Sequence, residues 1–511
     1  MNISKQISPS IRVLIVIAVM TATLMQVLDT TIVNVALPHM EGSLSASPDQ
    51  ITWILTSYLV AAAIFMPLTG YFTDRLGQKK YLLISIAGFV AASALCGAAT
   101  NIGQIVVFRL LQGIFGAALV PLSQAIMADI FPEEERGYAM ALWGIGVMVG
   151  PILGPTLGGY LTDIATWRWN FYINIPFGIL CFLLTWQILP DTPKKSRRMD
   201  WPGLILISTT IGSVQYFLDR GNQDDWFSST GICITAFLMV ICFLGFLLHN
   251  IDRKNKTNVF DLSIFADRNF AVSSCLLGVY CLSLYGAMVI LPLMLEGIFN
   301  YPVLTTGLVM APRGIGGMIS MLLAGMLLAK FDPRKVIMLG VLISIAGMYI
   351  STYYNLDISP GWIIGPLLLQ GFGLGLIFVP LSAMAFSTLP GDLRSEAAGL
   401  FSLLRTIGGS VGISIVSTLL ARLSQFEWNQ LGGHIQPFNI ATSKYLAVFH
   451  LKATSPQGIA ILGNTLEIHT QMLAYINIFA FITWSIVLMI PLVLLFKKPL
   501  DKNPVSPPAA D

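Results

Sequence analysis

Apolar runs, mostly about twenty residues long or more, recur along this chain between short clusters of charged, glycine and proline positions. Divided at those clusters, the sequence yields fourteen runs: 13–37, 51–73, 81–99, 102–128, 137–161, 170–189, 202–218, 229–249, 270–296, 304–329, 335–353, 360–387, 396–420 and 474–496. A helix needs about 20 apolar residues to cross roughly 30 Å of hydrocarbon, so each run is read as a membrane-spanning helix. The first run is too long for the core of a signal peptide and lacks a small-residue cleavage site, so it is expected to remain as a membrane helix. The predicted fold class is an all-α polytopic membrane protein.

Composition agrees with that pattern. Of 511 residues 55% are apolar and only 11% are charged, whereas soluble domains carry about 25% charged residues. A net charge of +3 without a basic tract gives no footing for nucleic acid. All six cysteines lie inside apolar runs with no ligand spacing between them and are expected to act as small core hydrophobes. Five scattered histidines give no ligand spacing, so neither a metal nor another cofactor is expected.

Lysine and arginine placement orients the spans, because cytoplasmic loops hold the excess of positive charge. Of 29 basic residues, twenty-one fall in one alternating set of loops and tails, and five (Arg168, Arg220, Arg422, Lys444 and Lys452) fall in the other. The remaining three, Arg109, Arg313 and Arg405, lie inside spans. Both termini are therefore expected in the cytoplasm.

An internal repeat follows. Gln112-Gly113, Val120-Pro121-Leu122-Ser123, Pro132 and Arg136 return as Gln370-Gly371, Val379-Pro380-Leu381-Ser382, Pro390 and Arg394, at an offset of 258 or 259, and Asp74 meets Asp332 at 258. The shift aligns spans 1–6 with spans 9–14 and leaves spans 7 and 8 as an inserted pair. Expected units are thus a six-helix half at 1–200, the inserted pair with its linkers at 201–269, and a second half at 270–511 with a long outer segment at 421–471. Parallel six-helix halves about an axis along the membrane normal are the architecture of major facilitator transporters, with a substrate cavity between them.

Asp29 is the one carboxylate deep inside a predicted span. An ionisable group there is costly unless it faces a cavity or a partner, which makes Asp29 a candidate proton site. A rise of about 1.5 Å per residue puts it in the outer half of span 1, at a depth similar to that of Arg109 in span 4. Arg109 is the candidate counter-charge. Gln26, Asn34, Gln112 and Gln370 are sparse polar candidates for contacts in an apolar substrate cavity, and Arg313 is a candidate extra charge there. Span 5 carries Gly146, Gly150, Pro151, Gly154, Pro155, Gly158 and Gly159, a small-residue stripe with kinking prolines that suits a gate. In the turn after span 2, Gly70, Asp74, Arg75 and Gly77 form a candidate cytoplasmic latch, with Arg75 expected to reach Asp129 at the inner end of span 4.

Together these segments resemble the fourteen-span drug:proton antiporters of the major facilitator superfamily, and within them the EmrB-type multidrug exporters. The carrying residues are Leu28-Asp29-Thr30-Thr31 through Pro38, Gly70 through Lys80, Arg109 with Gln112-Gly113, and the span 5 stripe. Trp167-Arg168-Trp169-Asn170-Phe171-x-x-Asn174-x-Pro176, Leu218-Asp219-Arg220-Gly221 and Asp225-Trp226-Phe227 add to it. The resemblance implies proton-driven export of hydrophobic or amphipathic drug-like compounds, with Asp29 and Arg109 at the coupling positions. It also implies a multi-pass protein of a Gram-negative inner membrane that works with a periplasmic membrane-fusion adaptor and an outer-membrane channel. Two departures stand out: Gln78, where the loop signature favours a basic residue and the latch is expected to weaken, and Arg313, which the repeat does not explain.

Competing readings are a dedicated exporter of one metabolite, fatty acid or siderophore, a nutrient importer of the same fold, and a channel or sensor. A buried Asp29 and duplicated halves argue against a simple pore. An enzyme is disfavoured because no nucleophile–base pair or metal constellation is present. The topology is directly testable. Cysteines placed at Ser196 and at Gly433 should react with an impermeant thiol reagent from opposite faces of the membrane, and labelling of both from one face would overturn the fourteen-span count.

Overall fold

The computed structural model describes residues 8–132, 135–194, 199–251, 262–390, 393–436, 439–452 and 454–497. Several basic residues used above to orient the spans, among them Arg197, Arg198, Arg253, Lys254 and Lys498, lie outside the described residues.

The described chain is helical throughout: α1 Pro9–Leu44, α2 Pro48–Phe65, α3 Thr69–Leu76, α4 Gln78–Ala98, α5 Ile102–Gly116, α6 Leu119–Ile130, α7 Arg136–Ile164, α8 Trp169–Tyr172, α9 Asn174–Ile188, α10 Trp201–Arg220, α11 Thr230–Ile251, α12 Arg268–Gly297, α13 Val303–Leu328, α14 Pro333–Ser351, α15 Pro360–Ala385, α16 Arg394–Gly432, α17 Ile440–Ala447, α18 Pro456–Val487 and α19 Met489–Val493. Starts are set by familiar chemistry. Ser47 and Gln50 form a capping box ahead of Pro48, Asn101 caps α5, and Asp267, Asp332 and Ser455 cap α12, α14 and α18. Some predicted runs are broken once. A 3₁₀ turn at Met66–Leu68 containing Pro67 separates α2 from α3, and a turn at 117–118 separates α5 from α6. Counted this way, the helices form fourteen crossings, twelve of them long and apolar enough by length and composition alone, with α7 and α10 completing the set.

One boundary differs from the sequence expectation. The segment at 421–471 is not irregular: α16 runs unbroken to Gly432, α17 follows, and α18 begins at Pro456. At about 1.5 Å per residue, the 39 residues of α16 extend about 58 Å, well beyond a hydrocarbon core of roughly 30 Å. Polar side chains end the apolar run near residue 420 without breaking the helix, because a solvated helix needs no apolar surface to keep its own hydrogen bonds. The cysteines also divide. Cys96, Cys181 and Cys281 are buried, but Cys233 and Cys275 are exposed and Cys242 is intermediate, so half of them lie on the helix faces away from the core.

The two ends of the sequence repeat pack alike. In the first part α1 meets α7 and α9, while α5 lies between α2 and α4; in the second α12 meets α16 and α18, while α15 lies between α13 and α14. The repeated Gln-Gly pair marks a close approach to a neighbouring backbone in each. A Cβ on Gly113 would sit 2.5 Å from the Tyr58 carbonyl oxygen, and one on Gly371 would overlap the carbonyl of Arg313. Between the two parts run contacts of α7 with α13 and α15, and of α16 with α3 and α6. The inserted helix α10 packs on α2 and α16, and α11 packs on α10. Gln215 on α10 exchanges hydrogen bonds with Ser410 on α16 at 2.9 and 3.1 Å.

Because backbone cannot retreat from a new Cβ, Gly113→Val should destabilise the purified protein by about 1–3 kcal/mol, measured as a lower melting temperature in detergent. Gly42→Ala, where nothing lies within 4 Å, should melt at the wild-type temperature or above.

Candidate functional site

Asp29 on α1 meets Arg109 on α5: Arg109 Nη1 donates to Asp29 Oδ2 at 2.6 Å. The other carboxylate oxygen, Oδ1, accepts from Gln112 Nε2 at 2.8 Å and from Asn174 Nδ2 at 3.0 Å. Gln112 and Arg109 are three residues apart on one face of α5, so Gln112 Oε1 also receives Arg109 Nη1 at 2.7 Å and closes a ring of three side chains. Arg109 Nε reaches the Ile54 carbonyl oxygen at 3.1 Å, and the guanidinium lies 4.3 Å from the centre of the Tyr58 ring. Ser93 on α4 accepts from Asn174 at 3.0 Å and donates to the Phe171 carbonyl at 2.9 Å. Helices α1, α2, α4, α5 and α9 therefore converge on one carboxylate.

The charges are sealed. Side-chain exposure is 1% for Arg109 and 0% for Asp29. A buried ion pair is tolerated only when its remaining lone pairs and protons are also satisfied, and here three donors serve the carboxylate. Removing either partner leaves an uncompensated buried charge, at a cost of about 3–5 kcal/mol. Water or another ion can reach the pair only when α1 and α5 separate.

The glycine stripe of α7 decides where Asp29 lies. A Cβ on Gly150 would press on Val27, one on Gly154 on Thr31, and one on Gly158 on Ile32, and Thr31 Oγ1 donates to the Gly150 carbonyl oxygen at 3.2 Å. The stripe thus locks α7 onto α1 inside the first six-helix group and does not itself face the second. The side chains of Pro151 and Pro155 lie outside the described residues. A different face of α7 meets the second group: Trp143 stacks on Phe378 with centroids 5.8 Å apart, and a Cβ on Gly144 would sit 2.9 Å from Met321 Sδ.

At the face bearing both described chain ends, the latch differs from expectation. Arg75 is exposed and donates to Tyr71 Oη at 2.7 Å, one turn back on its own helix, so it does not reach Asp129. Asp129 instead accepts from Arg394 Nη1 of α16 at 2.8 Å and from Gln78 Nε2 at 3.0 Å. Gln78 also donates to Ser395 Oγ at 3.4 Å, so the residue expected to weaken the latch is part of it. An amide can bridge a carboxylate and a hydroxyl where an ammonium would bring another charge. Gly70 is needed because Glu396 backbone would lie 2.8 Å from its Cβ, and Gly77 adopts φ +85°, where a side chain is strained. Asp74 is half-buried in the last turn of α3.

The expected cavity residues divide. Gln112 serves the ion pair, Gln26 Nε2 donates to Tyr58 Oη at 3.2 Å, and Gln370 Nε2 donates to Ser351 Oγ at 3.3 Å. These amides are used inside their own helix groups and not toward a shared cavity. Asn34 is exposed and Arg313 half-buried. Sequence reasoning had not assigned a role to Asn174, Ser93 or Tyr58; only Asn174 carried a signal, inside the quoted Trp167–Pro176 segment.

The Major Facilitator Superfamily model matches residues 19–413. The chain is 35% identical over 485 residues to the fatty acid resistance protein FarB of Neisseria gonorrhoeae, covering 94% of this chain and 95% of FarB. It is 37% identical over 433 residues to the multidrug export protein EmrB of Escherichia coli K12, covering 84% of each. Among solved structures it is similar to the human organic anion transporter MFSD10, with a TM-score of 0.61 at 14% identity over 94% of this chain and all of that one.

Arg394 and Asp129 hold the two groups together at one face, so Arg394→Asp should open that face, and the swap Asp129→Arg with Arg394→Asp should close it again. A cysteine in place of Ser395, buried beside Arg394 and facing Gln78, reports the opening as faster labelling by a soluble maleimide. Equal labelling rates in wild type, single variant and swap would remove the pair from the closure.

Proposed function

The chain belongs to the Major Facilitator Superfamily, in its fourteen-span EmrB-type branch, and from that premise we propose that it exports hydrophobic and amphipathic compounds in exchange for protons. The observation that carries the reading is a buried, fully hydrogen-bonded carboxylate–guanidinium pair on two helices that alternating access must move. Protonating Asp29 frees Arg109, and re-forming the pair expels the proton. A compound that favours the paired state therefore drives proton release, and the proton gradient drives the compound out.

Roles follow for the remaining parts. Residues 1–200 and 270–511 rock as units, with 201–269 bracing α2 against α16. The stripe at Gly150, Pro151, Gly154, Pro155, Gly158 and Gly159 carries movement of α1 into α7, whose other face abuts the second unit. Gly70, Asp74, Gly77 and Asp129, with Gln78 and Arg394, close the cytoplasmic side, and Asn34 and Arg313 border the substrate path. Both termini are cytoplasmic, in an inner membrane. Helices α16 to α18 project on the outer side, which supports docking of a periplasmic adaptor and, through it, an outer-membrane channel. The likeness to FarB supports a second reading in which fatty acids are the main substrates.

Asp29→Asn should still fold, less stably because Arg109 loses its counter-charge but without volume change, yet lose gradient-driven uptake of a dye into everted vesicles by at least about tenfold. Arg109→Ala should lower both stability and transport. Uncoupler-sensitive uptake at the wild-type rate by Asp29→Asn would overturn the proton assignment.

A further inference from the structure

Asp219, in the last turn of the inserted helix α10, holds a carboxyl group whose two oxygens sit differently. Oδ1 accepts from Gln215 Nε2 at 3.2 Å, whereas Oδ2 is buried and has no hydrogen-bond partner. Gln215, itself 1% exposed, is the residue that exchanges hydrogen bonds with Ser410 of α16. Thr56 of α2 lies against the same carboxyl, so α2, α10 and α16 meet around it. In the proposed topology α10 ends on the outer side, from which an exporter takes up protons.

Few charges surround this group. Arg220, next in the chain, turns away: its Nη1 donates to Gln223 Oε1 at 2.8 Å, and its guanidinium lies 6.0 Å from the centre of the Trp53 ring on α2. On α16 the charged residue nearest in sequence to Ser410 is Arg405, which acts on Cys281 and Tyr285 of α12. Helix α11 holds no Asp, Glu, Lys or Arg; its His249 is bonded to Asp200 at the other end of α10, and its Cys233 donates to the Phe227 carbonyl oxygen. The turn after α10 carries Asp224 and Asp225, the second of them exposed. An ionised carboxylate with a buried, unpartnered oxygen is costly, and the neutral acid places no charge there.

Six residues of α2, Trp53 to Tyr58, link this carboxyl to the pair at Asp29. Ile54 and Tyr58, four apart on one side of the helix, hold Arg109 through a carbonyl oxygen and a ring face, while Trp53 and Thr56, three apart, meet α10 from the other side. For an ionised Asp219 the available cation is Arg220, which must leave Trp53 to reach it. That departure loosens α2 where it grips Arg109. Neutral Asp219 therefore goes with the closed Asp29–Arg109 pair, and ionised Asp219 with the open one.

We propose that Asp219 is a second proton-binding residue, coupled through α2 to the Asp29–Arg109 pair. This inference rests on the export reading above and adds to it a titrating site in the inserted helices. The coupling is reciprocal: emptying either site strengthens the hold of the other on its proton.

The test is an infrared pH titration of the full-length protein in lipid nanodiscs. It reads the carbonyl band of protonated carboxyl groups above about pH 5, where exposed carboxyls are ionised. Wild type should lose this band in two steps. D219N and D29N should each lose it in one step, with a midpoint about one pH unit below the upper step of the wild type. D219E should keep two steps, and retained binding of tetraphenylphosphonium shows that the variants are folded. Two unchanged steps in D219N, or a single remaining step at the upper wild-type midpoint, would contradict the proposal. Gradient-driven dye uptake by a wild type whose titration D219N leaves unaltered would overturn Asp219 and leave export standing. Two coupled steps in a wild type that takes up no dye under a gradient would remove the export reading and leave the coupled carboxyls.

Discussion

A charged pair in hydrocarbon is the constraint from which the rest of this molecule follows. Asp29 and Arg109 are sequestered at 0% and 1% exposure, and five helices contribute atoms to keep them satisfied. Such a pair gains little over an apolar replacement, so its presence argues for a use and not for stability. Its state is also binary. With the pair formed its two charges cancel, and with it broken a guanidinium and a carboxyl both need new partners. That is the kind of two-state element on which a gradient can act.

Close packing ties this pair to the helices around it. The glycine stripe fastens α7 to α1 within two residues of Asp29, at Val27 and Thr31, so α1 cannot shift without α7. On another face of α7 Trp143 stacks against Phe378 of the second group, and Arg394 clamps Asp129 at the cytoplasmic end of the proposed topology. The inserted helix α10 adds a second tie through Gln215 and Ser410. Rigid contact of this kind transmits small displacements because packed interfaces have few intermediate arrangements.

Much of this was legible in the sequence, for reasons that can be named. The apolar runs marked every crossing, since hydrocarbon accepts little else, and the 258-residue offset carried the matching helix pairs α1–α7 and α12–α16. Asp29 and Arg109 stood out because charges in such runs are rare. What the sequence could not place was anything decided by side-chain direction. Gln112 faces the ion pair and Gln370 faces Ser351, although both sit at one repeat position. Arg75 and Arg394 are both basic residues near Asp129 in the predicted topology, and only geometry separates the one that folds back on Tyr71 from the one that crosses between groups. The far end of α16 was missed because helix hydrogen bonds persist where apolar pattern stops.

The central claim is that Asp29 carries the proton and that substrate displaces it. The most direct measurement is proton release from purified protein in weakly buffered detergent solution on addition of a transported compound, followed with a pH-sensitive dye across a pH series. Wild type should release protons on binding, Asp29→Asn should bind the compound and release none, and the two should differ most where Asp29 is protonated before binding. Release of the same number of protons by Asp29→Asn would contradict the account and assign the proton to another group.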